Sequence, residues 1–382
     1  MNEPAPKTGR VGWLAARGIY LAGNLLLRGS RRILYGPCTP EPERILVFRT
    51  GNLGDSFCAL PVFLALRKRF PGALLTLLTA EAEPGLPDCA EIFREFAPAD
   101  ALLRFPGRAR RKGSLRALAR RLRRERFDLV VYLGQSAAPL RRILRDLVFF
   151  RWAGARSAAG FAWNRHFFFR KAQTARARFP GETARLALNL TAIGIDPADL
   201  PQPPPPPVPA DRLPPGPGRT VAIHPTAKYQ AKLWPEERFV EVAEGLARRY
   251  PDARFLVVGD AGAGPFGRKL ERILPGRISD LSGRLSLSEL AGVLTRADLL
   301  ISLDSGPVHV AAAFGTPVVG VYSSRDYPRS WHPRGEGHEI IRTDPPCAAC
   351  RKTVCASLEC TRAIDPGAVI AAAARILDSR CP

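Results

Sequence analysis

Between Leu200 and Arg219 the chain reads LPQPPPPPVPADRLPPGPGR, ten prolines in twenty residues. Proline fixes φ and has no backbone N–H, so this run can be neither helix interior nor central strand. It reads as a semi-rigid polyproline linker that divides the 382-residue chain into halves long enough for separate cores. The same rhythm runs on both sides of it. RILVFR (44–49), ALLTLLT (73–79) and DLVVYL (128–133) are apolar runs of strand length. DSFCALPVFLALRKRF (55–70), with Pro61 inside it, and SLRALARRLRRERF (114–127) have helical spacing. Beyond the linker, TVAIH (220–224), ARFLVVG (253–259), LLISL (299–303) and VVGVY (318–322) alternate with helical stretches at 234–250 and 286–297. Ser286 and Glu289 stand at capping-box spacing at the start of the last of these. Strand–helix–strand order predicts parallel pairing with right-handed crossovers. The fold class expected is therefore α/β, with two Rossmann-like, doubly wound parallel-sheet domains. The expected division is an N-terminal arm (1–42), a first domain (43–200), the linker (201–218) and a second domain (219–382).

The charge is the second constraint. With 57 Lys and Arg against 35 Asp and Glu, the net charge is +22, which points to a polyanionic partner: nucleic acid, anionic lipid, or a phosphorylated or nucleotide-linked substrate. No RNA- or DNA-binding motif accompanies the charge, so no nucleic-acid partner is expected. A dinucleotide-dependent oxidoreductase is also disfavoured, because GDAGAG at 259–264 lacks the G-x-G-x-x-G spacing. The N-terminus shows no secretory cleavage pattern, so a reducing, cytoplasmic setting is expected, with Cys38, Cys58 and Cys89 as buried thiols. Residues 11–34, VGWLAARGIYLAGNLLLRGSRRIL, form a basic amphipathic run too interrupted to span a bilayer. Two readings of it stay open. It is an interfacial helix with Trp13 and Tyr20 at the lipid boundary, or a helix packed on the protein's own surface.

Three segments carry chemistry. FRTGNLGDSF (48–57) turns a strand into a helix through Gly51, Asn52 and Gly54, and places Asp55 at the helix start, as a cap or as a carboxylate offered to substrate. HPTAKYQAKLWPEERF (224–239) sets Thr226, Lys228 and Lys232 before a helix opened at Trp234-Pro235, where cations suit a diphosphate. LLISLDSGPVHVAAAFG (299–315) ends a strand at Asp304, starts a helix around Ser305, Gly306 and Pro307, and puts His309 in its first turn. Free N–H groups at such a start favour phosphate.

The ordered set of these segments resembles glycosyltransferase family 9, the heptosyltransferases of lipopolysaccharide core assembly, over about residues 44–377. The resemblance implies a GT-B fold whose two domains face a cleft, the first binding acceptor and the second binding a nucleotide-sugar donor. It also implies inverting transfer of a sugar, heptose from ADP-heptose, to a lipopolysaccharide or related lipid-linked acceptor. By position, Asp55 matches the proposed general base, with Gly51, Asn52 and Gly54 in the acceptor-side loop. Lys232 matches the lysine at the donor phosphates, Thr226 a donor-contacting hydroxyl, and Asp304, Ser305, Gly306 and His309 the donor-site segment. The helix N-terminus is expected to favour ionised Asp55. Another donor, in O-antigen or surface-polysaccharide synthesis, stays open, as does a non-catalytic basic protein that binds nucleotide or nucleic acid. No cofactor is required by the resemblance. Cys347, Cys350, Cys355 and Cys360, spaced C-x2-C-x4-C-x4-C, supply thiols for a structural zinc, or for disulfides or plain thiols. The arginine-rich 108–127 segment and the arm together suggest an anionic membrane surface as partner, with the protein peripheral on the cytoplasmic face of the inner membrane.

Overall fold

The structure is a computed structural model that describes residues 10–81, 89–97, 99–106, 112–164, 180–207 and 218–380, with side chains from 18 in the first helix and from 115 in the fourth. The chain falls into two compact units, the first closing at Pro201 and the second opening at Gln202. Residues 208–217 of the proline run, the Trp13 side chain and residues 108–111 lie outside the described residues.

In the first unit, β1 (Arg44–Arg49), β2 (Leu74–Ala80), β3 (Ala101–Phe105), β4 (Leu129–Leu133) and β5 (Ser157–Ala159) pair in the order β3-β2-β1-β4-β5, all parallel. Central β1 is buried on both faces, which is why RILVFR is a continuous apolar run rather than an alternating one. Around the sheet run α1 (Arg10–Leu34), α2 (Leu53–Arg69), α3 (Cys89–Phe96), α4 (Lys112–Glu125), α5 (Leu140–Trp152) and the short α6 (Glu182–Leu188). Pro61 sits inside α2. The arm is not a detached element. Asn24 exchanges two hydrogen bonds with the backbone of Trp163 (3.1 and 3.2 Å), and Arg31 donates to the Ala158 carbonyl at 3.3 Å.

In the second unit, β6 (Thr220–His224), β7 (Arg254–Val257), β8 (Ile278–Asp280), β9 (Leu299–Leu303), β10 (Val318–Tyr322) and β11 (Glu339–Arg342) pair in the order β11-β10-β9-β6-β7-β8. This is the same doubly wound order with one strand added, again all parallel. The helices are α7 (Glu236–Arg249), α8 (Gly264–Ile273), α9 (Leu287–Arg296), α10 (Gly306–Ala313), α11 (Glu359–Arg362) and α12 (Pro366–Ser379). The Ser286–Glu289 capping box opens α9 in both directions, at 3.2 and 2.7 Å. No helix among the described residues is long and apolar enough to cross a membrane.

In each sheet the strand order reverses once, between β1 and β4 and between β6 and β9. Such a reversal opens a crevice at the carboxyl ends of the strands. The predicted site residues gather at these two places.

Candidate active site

At the first reversal, β1 ends at Arg49 and α2 begins at Leu53. Gly51 adopts φ +154°, and a Cβ there would stand 2.5 Å from the Asp55 Cβ, so the tight turn and the folded-back aspartate both require glycine. Asn52 is the N-cap of α2, and its N–H donates to Asp55 Oδ2 at 3.1 Å. Asp55 therefore does cap the helix start. Its second oxygen lies 3.4 Å from Nη2 of Arg49, which also donates to the Asp55 carbonyl. Gly54 lies within the first turn of α2.

Arg49 is fully buried and reaches across the reversal to donate to the Leu133 carbonyl at the end of β4, 2.9 Å away. Its Nη1 also sits 3.6 Å from Glu182, which binds Arg185 through both oxygens at 2.7 Å. Arg185 in turn donates to the Gly134 carbonyl at 2.7 Å and to Asn164 at 3.3 Å. Asp55, Arg49, Glu182 and Arg185 thus form a chain of alternating charge with no net charge. Of the four, only Asp55 was predicted. The two traces of the others are the strand-end arginine beside the motif and the Glu-x-x-Arg spacing of α6.

The Asp55 side chain is 14% exposed. Burial pushes its pKa up, Arg49 opposes that, and Glu182 adds to it, so the net direction is above the ordinary carboxylate value. The sequence expectation ran the other way. Desolvation outweighs the Arg49 charge and the Asn52 N–H, and Asp55 is a better proton acceptor than a surface aspartate.

At the second reversal β6 ends at His224, beside Ser302 of β9. Asp304 follows β9 and is buried; Ser305 is the N-cap of α10 without a side-chain capping bond, and Gly306 and Pro307 form its first turn. Lys232 comes from a 3₁₀ turn, Gln230–Lys232. Its Nζ binds Asp304 Oδ2 at 2.7 Å, the Asp304 carbonyl at 3.1 Å and Asp326 at 3.7 Å. Asp326 is also paired to Arg325 at 2.6 Å, so these four charges balance as well. The Lys232 ammonium is thus matched by two carboxylates rather than standing bare. Asp326 and Arg325 went unpredicted; SSRD after β10 carried the only cue. Lys228 is exposed, and His309 is buried with its ring 6.1 Å from that of Trp331.

Thr226 is tied to a buried histidine. Ser302 Oγ donates to the Leu303 carbonyl at 2.8 Å, so His224 Nδ1 donates to Ser302 and Nε2 accepts from the Thr226 hydroxyl, each at 3.2 Å. The Thr226 proton is committed, and the hydroxyl oxygen keeps its lone pairs as acceptors. Burial pushes the His224 pKa down to about 4, which keeps the ring neutral. Gly259 roofs the pair, for a Cβ there would stand 2.8 Å from His224 Cδ2.

The expected zinc site is not supported. Cys347, Cys350, Cys355 and Cys360 are free thiols. Among the described residues no three His, Cys, Asp or Glu side chains converge as a metal requires. Instead of closing on a metal, their loop lies on the Lys232 turn: Thr353 accepts from the Ala231 N–H at 3.1 Å and Gln230 accepts from the Cys355 N–H at 2.7 Å. Among the other cysteines, Cys58 and Cys89 are buried but Cys38 is only partly so, at the end of the arm.

The sequence model of glycosyltransferase family 9 (heptosyltransferase) matches residues 115–360. The chain belongs to glycosyltransferase family 9. Lipopolysaccharide heptosyltransferase 1 of Pseudomonas aeruginosa is 26% identical over 338 residues, covering 82% of this chain and 87% of the relative. Among solved structures, a family 9 glycosyltransferase of Veillonella parvula superposes with a TM-score of 0.67 at 19% identity, covering 88% of this chain and 98% of that one. The ADP-heptose lipopolysaccharide heptosyltransferase II of Escherichia coli gives 0.61 at 20%, covering 88% and 99%. As a family 9 member the chain is a glycosyltransferase of GT-B fold. The family match takes in Thr226, Lys232 and Asp304 but opens after Asp55.

Proposed function

We propose that this enzyme transfers heptose from ADP-heptose, with inversion, to a lipopolysaccharide-type acceptor, working as a peripheral protein on the cytoplasmic face of the inner membrane. The observation that carries the reading is Asp55, a partly exposed carboxylate at a sheet reversal whose surroundings raise its proton affinity. Asp55 takes the proton of the acceptor hydroxyl as its oxygen attacks the anomeric carbon. The bond from that carbon to the phosphate oxygen breaks, and ADP departs with the electron pair. Lys232 and the first-turn amides of α10 stabilise the negative charge that develops on the leaving group. Thr226 receives a hydrogen bond from the donor, and Gly51, Asn52 and Gly54 let the acceptor approach the backbone. The names of the relatives support the donor and acceptor classes, and the donor-side residues lie within the family match.

A thermal-shift screen across ADP-, UDP-, GDP- and CMP-sugars tests the donor. ADP-heptose at a hundred times its Kd should stabilise the fold by about 2.7 kcal/mol. A shift with a UDP-sugar and none with ADP-heptose would sink the assignment.

A further inference from the structure

One side of the first sheet carries α1, α4 and α5 in a single core. Leu27 of α1, Leu122 of α4, and Leu147 and Phe150 of α5 pack with Phe48 and Val130 of the strands. Helix α1 is seated by its inner face: a Cβ on Gly23 would collide with the Trp163 ring at 2.3 Å, and Tyr35 just beyond the helix donates to the Leu147 carbonyl of α5. At 100° per residue, Leu21, Leu25, Leu26 and Ile33 fall on the opposite side. Leu25 is 66% and Ile33 86% exposed, where a helix facing only water would show polar residues. The neighbouring helices do the same, with Leu115 on α4 and with Val148 and Trp152 on α5. Eight of the eleven large apolar side chains exposed among the described residues lie on these three helices.

The charges between them have one sign. Arg28, Arg32, Arg120, Arg121, Arg141 and Arg145 are all exposed. The two acidic residues of these helices are already engaged: Glu125 with Arg44, and Asp146, buried, with Tyr132 and Arg145.

We propose that this three-helix side of the first unit docks on the surface of an anionic bilayer, with α1 in the plane of the interface and its outer leucines and isoleucines in the headgroup boundary. Charge complementarity selects this occupant. A second copy of the same face would set arginine against arginine, and a nucleic acid would match the charge but leave the leucines in water. A bilayer with acidic headgroups satisfies both. The proposal rests on the peripheral location given above and names the face responsible.

The test is flotation of the full chain with vesicles of 30% phosphatidylglycerol in phosphatidylcholine, against phosphatidylcholine alone. The native protein should float with the anionic vesicles and be released by 0.5 M salt. Leu25→Glu/Leu26→Glu should lower partitioning by about tenfold or more, and Arg28→Glu/Arg32→Glu by about tenfold or more as well. Leu188→Glu, an exposed site on α6, should change nothing. Each variant's melting temperature confirms its fold, and its thermal shift with ADP-heptose is read in parallel. Native protein that ignores the anionic lipid, or a Leu25/Leu26 double variant that floats like native, overturns the proposal. So does light scattering in which that double variant dissolves a dimer and leaves flotation unchanged. Flotation that depends on these residues without any ADP-heptose shift leaves the docking face standing and removes the donor assignment instead.

Discussion

At Asp55, helix capping and the proposed proton transfer are compatible. Its Oδ2 closes the start of α2 on the Asn52 N–H, while Oδ1 leans on a guanidinium that is itself shared with Glu182. A carboxylate so held is positioned, and desolvation keeps its proton affinity above that of a surface aspartate. Asp55→Asn keeps the shape and the capping acceptor but removes the base. We expect kcat to fall by roughly two orders of magnitude or more with little change in melting temperature. In the native enzyme kcat/KM should rise with pH along an acid limb whose midpoint lies above the usual carboxylate value, and that limb should be missing from the variant's residual rate. A variant with near-native kcat would return Asp55 to capping alone.

Among the elements, the 3₁₀ turn Gln230–Lys232 depends on two others. Behind it stands the cysteine-bearing loop, hydrogen-bonded to Ala231 and Gln230; before it stands the end of β9 with Asp304. Arg325 locks that loop in turn, donating to the Lys352 and Arg351 carbonyls while its guanidinium lies 4.7 Å from the centre of the Tyr229 ring. Lys232 and Asp304 are a nearly buried pair, with side chains 12% and 5% exposed. Removing one partner strands the other charge, so Lys232→Ala should destabilise the second unit by about 3–5 kcal/mol in denaturant unfolding. Lys232→Ala/Asp304→Asn should recover much of that loss. If the single and double variants unfold alike, the pair is not what holds the turn.

For the whole molecule, the buried neutral His224 couples stability to pH. Its folded pKa, about 4, lies below the unfolded value near 6.5. Between those values the unfolded chain binds more protons than the native one, so the contribution is complete above pH 6.5 and is lost as pH falls toward 4. The loss is roughly 3 kcal/mol at about 1.4 kcal/mol per pH unit. Chemical denaturation from pH 7 to 4 should show it, and His224→Gln should flatten the profile. Period and punctuation were enough to read the α/β class, the strands at 44–49, 299–303 and 318–322 and the Ser286 cap, because those patterns are local and parallel strands announce themselves as unbroken apolar runs. Position in the motifs likewise put Asp55 and Asp304 just past strand ends and Lys232 ahead of a helix, and the structure has them there. The partners of those residues were hidden: Glu182 lies 127 positions from Asp55 and Asp326 lies 94 from Lys232, and no local pattern records which distant charges the strand-order reversals bring together. The sign of the Asp55 shift was hidden for the same reason. A helix start is visible in four residues, whereas desolvation is a property of everything packed around them, and here it is the largest influence on Asp55.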